Sequence, residues 1–208
     1  MSECQYCRSR RQFLGMGLAG GIALSLPGLA LARTGSLHHF SGRVLVDGKP
    51  ARRGTLVAPS SKVETGVDSI TTFVIGNNAF TLRSGTQVQF TRHQTGLSGF
   101  RLLTGALIGV FGPGPKKLIT NTATIGIRGT GVYFENRENS SYICLCYGGI
   151  DLNANTGNAA PEALTATHHE GRLVTGAGNI SPEPMVNHTD DELVLLESLV
   201  GRKPPFAA

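Results

Sequence analysis

The sequence predicts an all-β protein: an antiparallel β-sandwich, roll or solenoid-like domain with one C-terminal helix. Its composition suits short strands joined by tight turns, because glycine contributes 28 of 208 residues, charged residues only 16%, and tryptophan is absent. Strand-like segments recur about every ten residues from residue 40 onward, and turn residues bound each of them. One stretch near the C-terminus has the periodicity of a helix instead.

The first half of the predicted core consists of short β-prone segments separated by turn signals. The Asp47-Gly48 pair supplies the positive φ angles that a tight hairpin turn requires. In residues 86–91, Val88 and Phe90 alternate with polar residues, which predicts a strand with one buried and one solvated face. The strands predicted here are residues 42–46, 69–75, 79–82, 86–91 and 99–103.

The second half of the core continues the same pattern as far as residue 152. A Gly-Pro-Gly-Pro turn at residues 112–115 separates two groups of strand-like segments. Beyond Asn153 the composition shifts to Asn, Ala, Thr, Gly and Pro, and the next periodic stretch begins only at Thr189. The strands predicted in this half are residues 105–111, 117–120, 124–134, 142–147 and 149–152.

Residues 189–200 carry the signals of a helix. Thr189 can cap its N-terminus, and Gly201 and the prolines after it end it. The acidic residues that follow Thr189 favour the positive end of the helix dipole, which explains them better than a catalytic role does. Leu193 and Leu196 share one face, so we expect the helix to dock on the β core.

The N-terminal residues have the pattern of an export signal. An arginine pair precedes an uncharged stretch that ends in small residues suited to signal-peptidase cleavage. The arginine pair followed by Phe-Leu resembles the twin-arginine leader, which implies folding in the cytoplasm, often with cofactor insertion, and export to the periplasm. Membrane contact would then be transient. The alternative is a retained anchor, although glycine and proline interrupt its apolar run. The predicted signal residues are Arg10, Arg11, Phe13, Leu14, Ala30 and Ala32.

These patterns predict three parts of the chain. Residues 1–32 are the leader, residues 33–152 the β domain, and residues 153–208 a glycine-, proline- and histidine-containing segment whose helix packs on that domain. The net charge is +5, and part of it lies in the leader. Lysine and arginine are otherwise scattered, which argues against a nucleic-acid-binding surface.

Two cysteines and three histidines are the residues most able to carry chemistry. Cys144 and Cys146 flank one residue of a predicted strand, so their side chains point to the same face, with alpha carbons roughly 6.5 to 7 Å apart. That separation is strained for a disulfide but suits a soft metal ion. His168, His169 and His188 could complete a site for zinc, copper or iron.

The spacing of these residues leaves three interpretations open. The cysteines can be small buried hydrophobic residues, with the histidines as surface polar residues. They can form a metal-ligand set, or they can form a structural or redox-active disulfide. The sequence contains none of the motifs of a nucleophile elbow, a metalloprotease helix or a phosphate-binding loop, so we expect no enzymatic activity.

Six segments of the predicted β domain are specific in combination: residues 54–56, 63–66, 73–82, 103–107, 119–120 and 123–130. Through these segments, residues 40–152 resemble the periplasmic FecR-like domain, the ferric citrate regulator type. The resemblance implies a periplasmic binding or scaffolding module whose partner is an envelope protein or a surface ligand. About a dozen residues precede the apolar run, too few for a folded cytoplasmic domain, so sigma-factor control is not carried over. The alternative function is a periplasmic metal-binding or redox protein.

Overall fold

The computed structural model describes residues 37–94 and 96–207, in which β-strands and one C-terminal α-helix form the fold. This confirms the predicted all-β class with a C-terminal helix. The strands make an open sheet of mixed direction, because one pair of neighbouring strands runs parallel among antiparallel pairs. The predicted signal residues Arg10, Arg11, Phe13, Leu14, Ala30 and Ala32 lie outside the described residues.

Fourteen strands precede the helix in the described part of the chain. In chain order they are β1 (Leu37–Ser41), β2 (Val44–Val46), β3 (Lys49–Pro50), β4 (Lys62–Thr65), β5 (Ile70–Ile75), β6 (Asn78–Leu82), β7 (Gln87–His93), β8 (Gly96–Val110), β9 (Pro115–Ile119), β10 (Ala123–Asn136), β11 (Ser140–Ala154), β12 (Glu162–Ala166), β13 (Glu170–Thr175) and β14 (Ile180–Glu183). Helix α1 (Asp190–Leu199) follows, and a short 3-10 turn (Pro205–Ala207) ends the described chain.

Two pairs of predicted strands prove to be single long strands. Residues 99–103 and 105–111 belong to β8, apart from the last residue, and residues 142–147 and 149–152 belong to β11. A glycine with positive φ lies at each junction, Gly105 at 81° and Gly148 at 92°. The sequence pattern treats such a glycine as a strand end, but within a sheet it can bend a strand that continues.

Strands β12, β13 and β14 lie in the segment where the sequence predicts none. β13 pairs with the first part of β11, through residues 140–145, and β12 pairs with its later part, through residues 148–152. β12 alternates between half-buried and exposed residues, and three of the four residues of β14 are exposed. These segments lack the clear alternation of apolar residues that predicts a strand. They form strands mainly because they hydrogen-bond to β11 or to each other.

The long strands change partners along their length, which bends the sheet. The first half of β10 pairs with β9 and its second half pairs with β8, with a register shift between Arg128 and Gly131. On its other side β10 pairs with β11 along most of its length. β8 likewise pairs with β7 over its first part and with β6 over its last.

The central strands are buried on both faces. On β11, Ile143 and Leu145 belong to the larger hydrophobic cluster, whereas Tyr142, Cys144 and Cys146 belong to a second cluster on the opposite face. Residues of β5, β6, β8 and β10 alternate between the two clusters in the same way. Helix α1 adds Leu193 and Leu196 to the second cluster, and Val186 from the segment before the helix packs against it.

Helix α1 covers the second cluster as the sequence predicts. The backbone N–H of Thr189 donates to Glu192 Oε2 at 3.1 Å, and Gly201 ends the helix with φ of 73°. Leu193 and Leu196 are fully buried against the sheet. In the described part of the chain, the helical segments are too short or too polar to cross a bilayer.

Candidate metal centre

The sheet places both cysteines under the C-terminal segment. Cys144 and Cys146 lie on the face of β11 that belongs to the second cluster, and both are fully buried. Both thiols are free, so the disulfide interpretation does not describe this structure. As predicted from strand periodicity, the two side chains share one face.

His169 reaches the cysteines from the connection between β12 and β13. β13 pairs with β11 up to residue 145, and β12 pairs with β11 from residue 148 onward. The residues that join the two strands therefore pass beside Cys146. The backbone N–H of His169 donates to the Cys146 carbonyl at 3.1 Å, and the residue has φ of 48°. This backbone position brings His169 Nδ1 to 3.6 Å from Cys144 Sγ.

His188 enters from the segment just before α1. Its ring stacks on Tyr133, with centroids 4.7 Å apart and planes 12° from parallel. Its Nε2 lies 3.4 Å from Cys146 Sγ and 3.3 Å from His169 Nδ1. The Tyr142 hydroxyl helps to fix this segment, because it donates to the Pro184 carbonyl at 2.9 Å and accepts from the backbone N–H of residue 186 at 3.2 Å.

The donor atoms are spaced as a tetrahedral ion requires. The two sulfurs and two nitrogens all lie within 4.8 Å of one another. Metal–sulfur bonds of about 2.3 Å and metal–nitrogen bonds of about 2.05 Å in a tetrahedron place nitrogens about 3.3 Å apart, and sulfur and nitrogen about 3.6 Å apart. The observed 3.3, 3.4 and 3.6 Å separations match these values.

Hydrogen bonds on the far side of each ring orient the two imidazoles. His169 Nε2 lies 2.9 Å from Asp190 Oδ1, and His188 Nδ1 lies 2.8 Å from the Val186 carbonyl. A carboxylate and a carbonyl only accept, so these nitrogens carry the ring protons. The lone pairs of His169 Nδ1 and His188 Nε2 therefore face the thiols, which is the arrangement found around histidine ligands of metals.

The two thiols also differ in acidity. The hydrogen bond from Cys146 lowers the pKa of the Cys144 thiol far below its ordinary value, more than burial raises it. The same hydrogen bond, together with burial, raises the pKa of the Cys146 thiol. The opposite directions of the two shifts make Cys144 the more acidic thiol of the pair.

Of the predicted ligands, the structure brings together Cys144, Cys146, His169 and His188. His168 lies outside this set, with its side chain 49% exposed and its Nε2 3.0 Å from Asp190 Oδ2. Asp190 was not among the predicted site residues, because an acidic helix start already explained its presence in the sequence. The hydrogen bond from His169 lowers the pKa of the Asp190 carboxyl, so this group stays ionised. Its position two residues after His188 was the signal that could have identified it.

The donor set indicates the kind of metal that the site can hold. Two thiolates and two imidazoles in a tetrahedron are typical of zinc. With four protein ligands and both sulfurs buried, a bound ion would have no open position for water or substrate. Such a closed site serves structure or metal storage rather than Lewis-acid catalysis.

Comparison with known proteins identifies no family for the chain. No protein-family model matches it, and neither does any curated protein. Two crystal structures of a protein described as a "putative anti-sigma factor" from Parabacteroides distasonis ATCC 8503, at 1.65 Å and 2.50 Å resolution, are similar to it at a TM-score of 0.49 and 12% identity. Each match covers 59% of this chain and 58% of that chain, so the chain spans less than two thirds of their length. The FecR-like resemblance stays a prediction from the sequence.

Proposed function

We propose that the protein is a metal-binding module of the bacterial envelope that holds one zinc ion through Cys144, Cys146, His169 and His188. The observation that carries this proposal is the convergence of four donors at tetrahedral spacing, with both imidazole lone pairs turned inward. Ordinary buried thiols and surface histidines have no reason to converge in this way.

The zinc ion would act as a structural clasp between three parts of the chain. One part is β11, the second is the connection between β12 and β13, and the third is the segment that begins α1. A closed site of this kind contributes to folding free energy, because its ligands come together only in the folded chain. The module is thus proposed to be non-enzymatic, in agreement with the expectation from the sequence.

The clasp is also compatible with the binding or scaffolding role that the FecR-like resemblance implies. In this proposal the protein is exported by the twin-arginine pathway and presents its β core to an envelope protein or a surface ligand. Export after folding would allow the ion to be inserted in the cytoplasm. The zinc would then keep the C-terminal segment in place on the sheet while the module is in the periplasm.

The test is the metal content of the full chain recovered after export by its own leader. We expect about one equivalent of zinc per protein, since the four ligands form one site. The Cys144→Ser, Cys146→Ser double variant should lose it. His93→Ala is the matched control for a surface histidine outside the site, and it should retain the metal.

If the double variant folds poorly, thiol counting and cobalt substitution test the same site in the wild-type protein. In the wild-type protein, added Co²⁺ should give the intense ligand-field absorption of a tetrahedral ion and a thiolate-to-cobalt charge-transfer band. Both thiols should become accessible only after the metal is removed and the chain unfolded. Wild-type protein that contains no metal and shows neither cobalt band would overturn the proposal, whereas copper or iron bound at the same ligands would overturn only the choice of zinc.

A further inference from the structure

A second set of donor atoms lies on the solvent side of His169. His168 Nε2 is 3.1 and 3.0 Å from the two carboxylate oxygens of Asp190, and His169 Nε2 is 2.9 Å from one of them. The three donor groups lie within 4.8 Å of one another. Two imidazole nitrogens and a carboxylate form a donor set that suits a borderline divalent ion such as Zn²⁺.

We call His168, His169 and Asp190 the outer set, and Cys144, Cys146, His169 and His188 the inner set. The outer set is accessible to solvent, whereas the inner set is not. The side chains of His168 and Asp190 are 49% and 44% exposed, whereas that of His169 is 9% exposed and the two thiols are fully buried. A surface cleft of about 590 Å³ opens onto His168 and Asp190. Its lining includes Tyr147, Thr167, His168, Asp190 and Phe206. A hydrated ion in this cleft therefore meets His168 and Asp190 before it can reach a sulfur.

One imidazole belongs to both sets. His169 directs Nε2 toward Asp190 and Nδ1 toward Cys144. We propose that His168, His169 and Asp190 form a loading site, where a divalent metal ion first binds from solvent and from which it passes to the buried Cys₂His₂ site. This inference rests on the proposed function, because it assigns the route by which that inner site is filled.

Because both sites use the His169 ring, only one of them can hold an ion at a time. A neutral imidazole carries one ring proton, so an ion held at Nε2 requires the proton on Nδ1, and an ion held at Nδ1 requires it on Nε2. Transfer inward breaks the bonds from the ion to His168, to Asp190 and to Nε2 of His169, and it forms bonds to two sulfurs and two nitrogens. The Nδ1 proton of His169 and the protons still held by the thiols pass to solvent, and Nε2 takes up a proton from solvent and again donates to Asp190. Filling the inner site thus disables the outer one.

The kinetics of metal uptake test this route. Metal-free full-length protein is mixed with limiting Co²⁺, and the thiolate-to-cobalt band reports arrival at the inner site. We expect His168→Ala to slow its appearance roughly tenfold, at the low end of the rate gain that a charged entry site provides. The final absorbance and the equilibrium affinity should stay unchanged. His93→Ala is the control and should load at the wild-type rate.

Equilibrium binding to the double variant tests the outer site directly. In the Cys144→Ser, Cys146→Ser background we expect a weaker Co²⁺ site without a thiolate band, which a further His168→Ala substitution removes. Equal loading rates for His168→Ala and wild type would overturn the loading role. So would a loss of inner-site affinity in His168→Ala, which would make His168 a support for Asp190 instead. Wild-type protein that never shows the thiolate band would instead refute the proposed function, and the double variant would still decide whether the outer site exists.

Discussion

Each imidazole of the inner site is held by a contact on the side away from the metal position. Asp190 accepts from His169, the Val186 carbonyl accepts from His188, and Tyr133 stacks on the ring of His188. These contacts select the tautomer and the ring plane before any ion arrives. The two imidazoles are thus preorganised. The conformational entropy of their side chains is lost when the chain folds and not when the metal binds.

The carboxylate behind His169 should therefore matter for affinity although it does not face the inner metal position. Asp190→Asn keeps the size of the side chain but removes its charge, and we expect the zinc affinity to fall by about tenfold, the lower end for such supporting groups. Competition with a chromophoric chelator measures the change. Asp191→Asn, an equal loss of charge on the next, exposed residue, is the control. Equal affinities for the two variants would show that Asp190 does not support the ligand.

At the scale of elements, α1 is joined to the sheet by apolar packing and by polar contacts. Leu193 and Leu196 fill the second cluster, while the Arg83 guanidinium lies 2.6 Å from Glu192 at the start of the helix. The buried Glu197 carboxylate accepts hydrogen bonds from Tyr147 and, at 2.6 Å, from Arg202. The helix thus holds the segment that carries His188 and Asp190 on the sheet even without metal.

Truncation of the buried face of α1 should destabilise the metal-free protein. Leu196→Ala removes a fully buried side chain, and we expect it to lower the free energy of unfolding by about 3 kcal/mol. Leu195→Ala, on a side chain that is 54% exposed, should change it by about 0.5 kcal/mol or less. Urea unfolding of the two chelator-treated variants gives the comparison. Similar costs for both would mean that the helix does not pack as described.

For the whole molecule, the metal should couple distant parts of the chain. The inner ligands come from residues 144–146, 169 and 188, and unfolding separates them. An ion that binds the folded chain alone stabilises it by mass action. The bent sheet and the C-terminal segment should therefore unfold together in the presence of metal.

Zinc should raise the stability of the full chain in a concentration-dependent way. At free zinc near one hundred times the dissociation constant, we expect the free energy of unfolding to rise by about 2.7 kcal/mol, and excess chelator should reverse the gain. The Cys144→Ser, Cys146→Ser variant should gain nothing under the same conditions. Urea titrations at several buffered zinc levels measure both. An equal gain in the variant would place the stabilising metal elsewhere.

The sequence by itself determined the features that depend on local periodicity. Alternation along a strand predicted that Cys144 and Cys146 share a face, and the capping and apolar pattern predicted α1 to within a residue or two at each end. Most of the strands up to residue 152 were predicted for the same reason. Each of these features is set by neighbours within a few positions along the chain.

Only the tertiary structure decided which histidines join the cysteines. His169 turns inward because its backbone bonds to Cys146 and adopts a positive φ, whereas its neighbour His168 stays in solvent. Strands β12 to β14 and the role of Asp190 likewise depend on partners far away in the chain. Loop conformation and edge-strand pairing are set by contacts across the fold, and the local pattern of residues carries little information about those contacts.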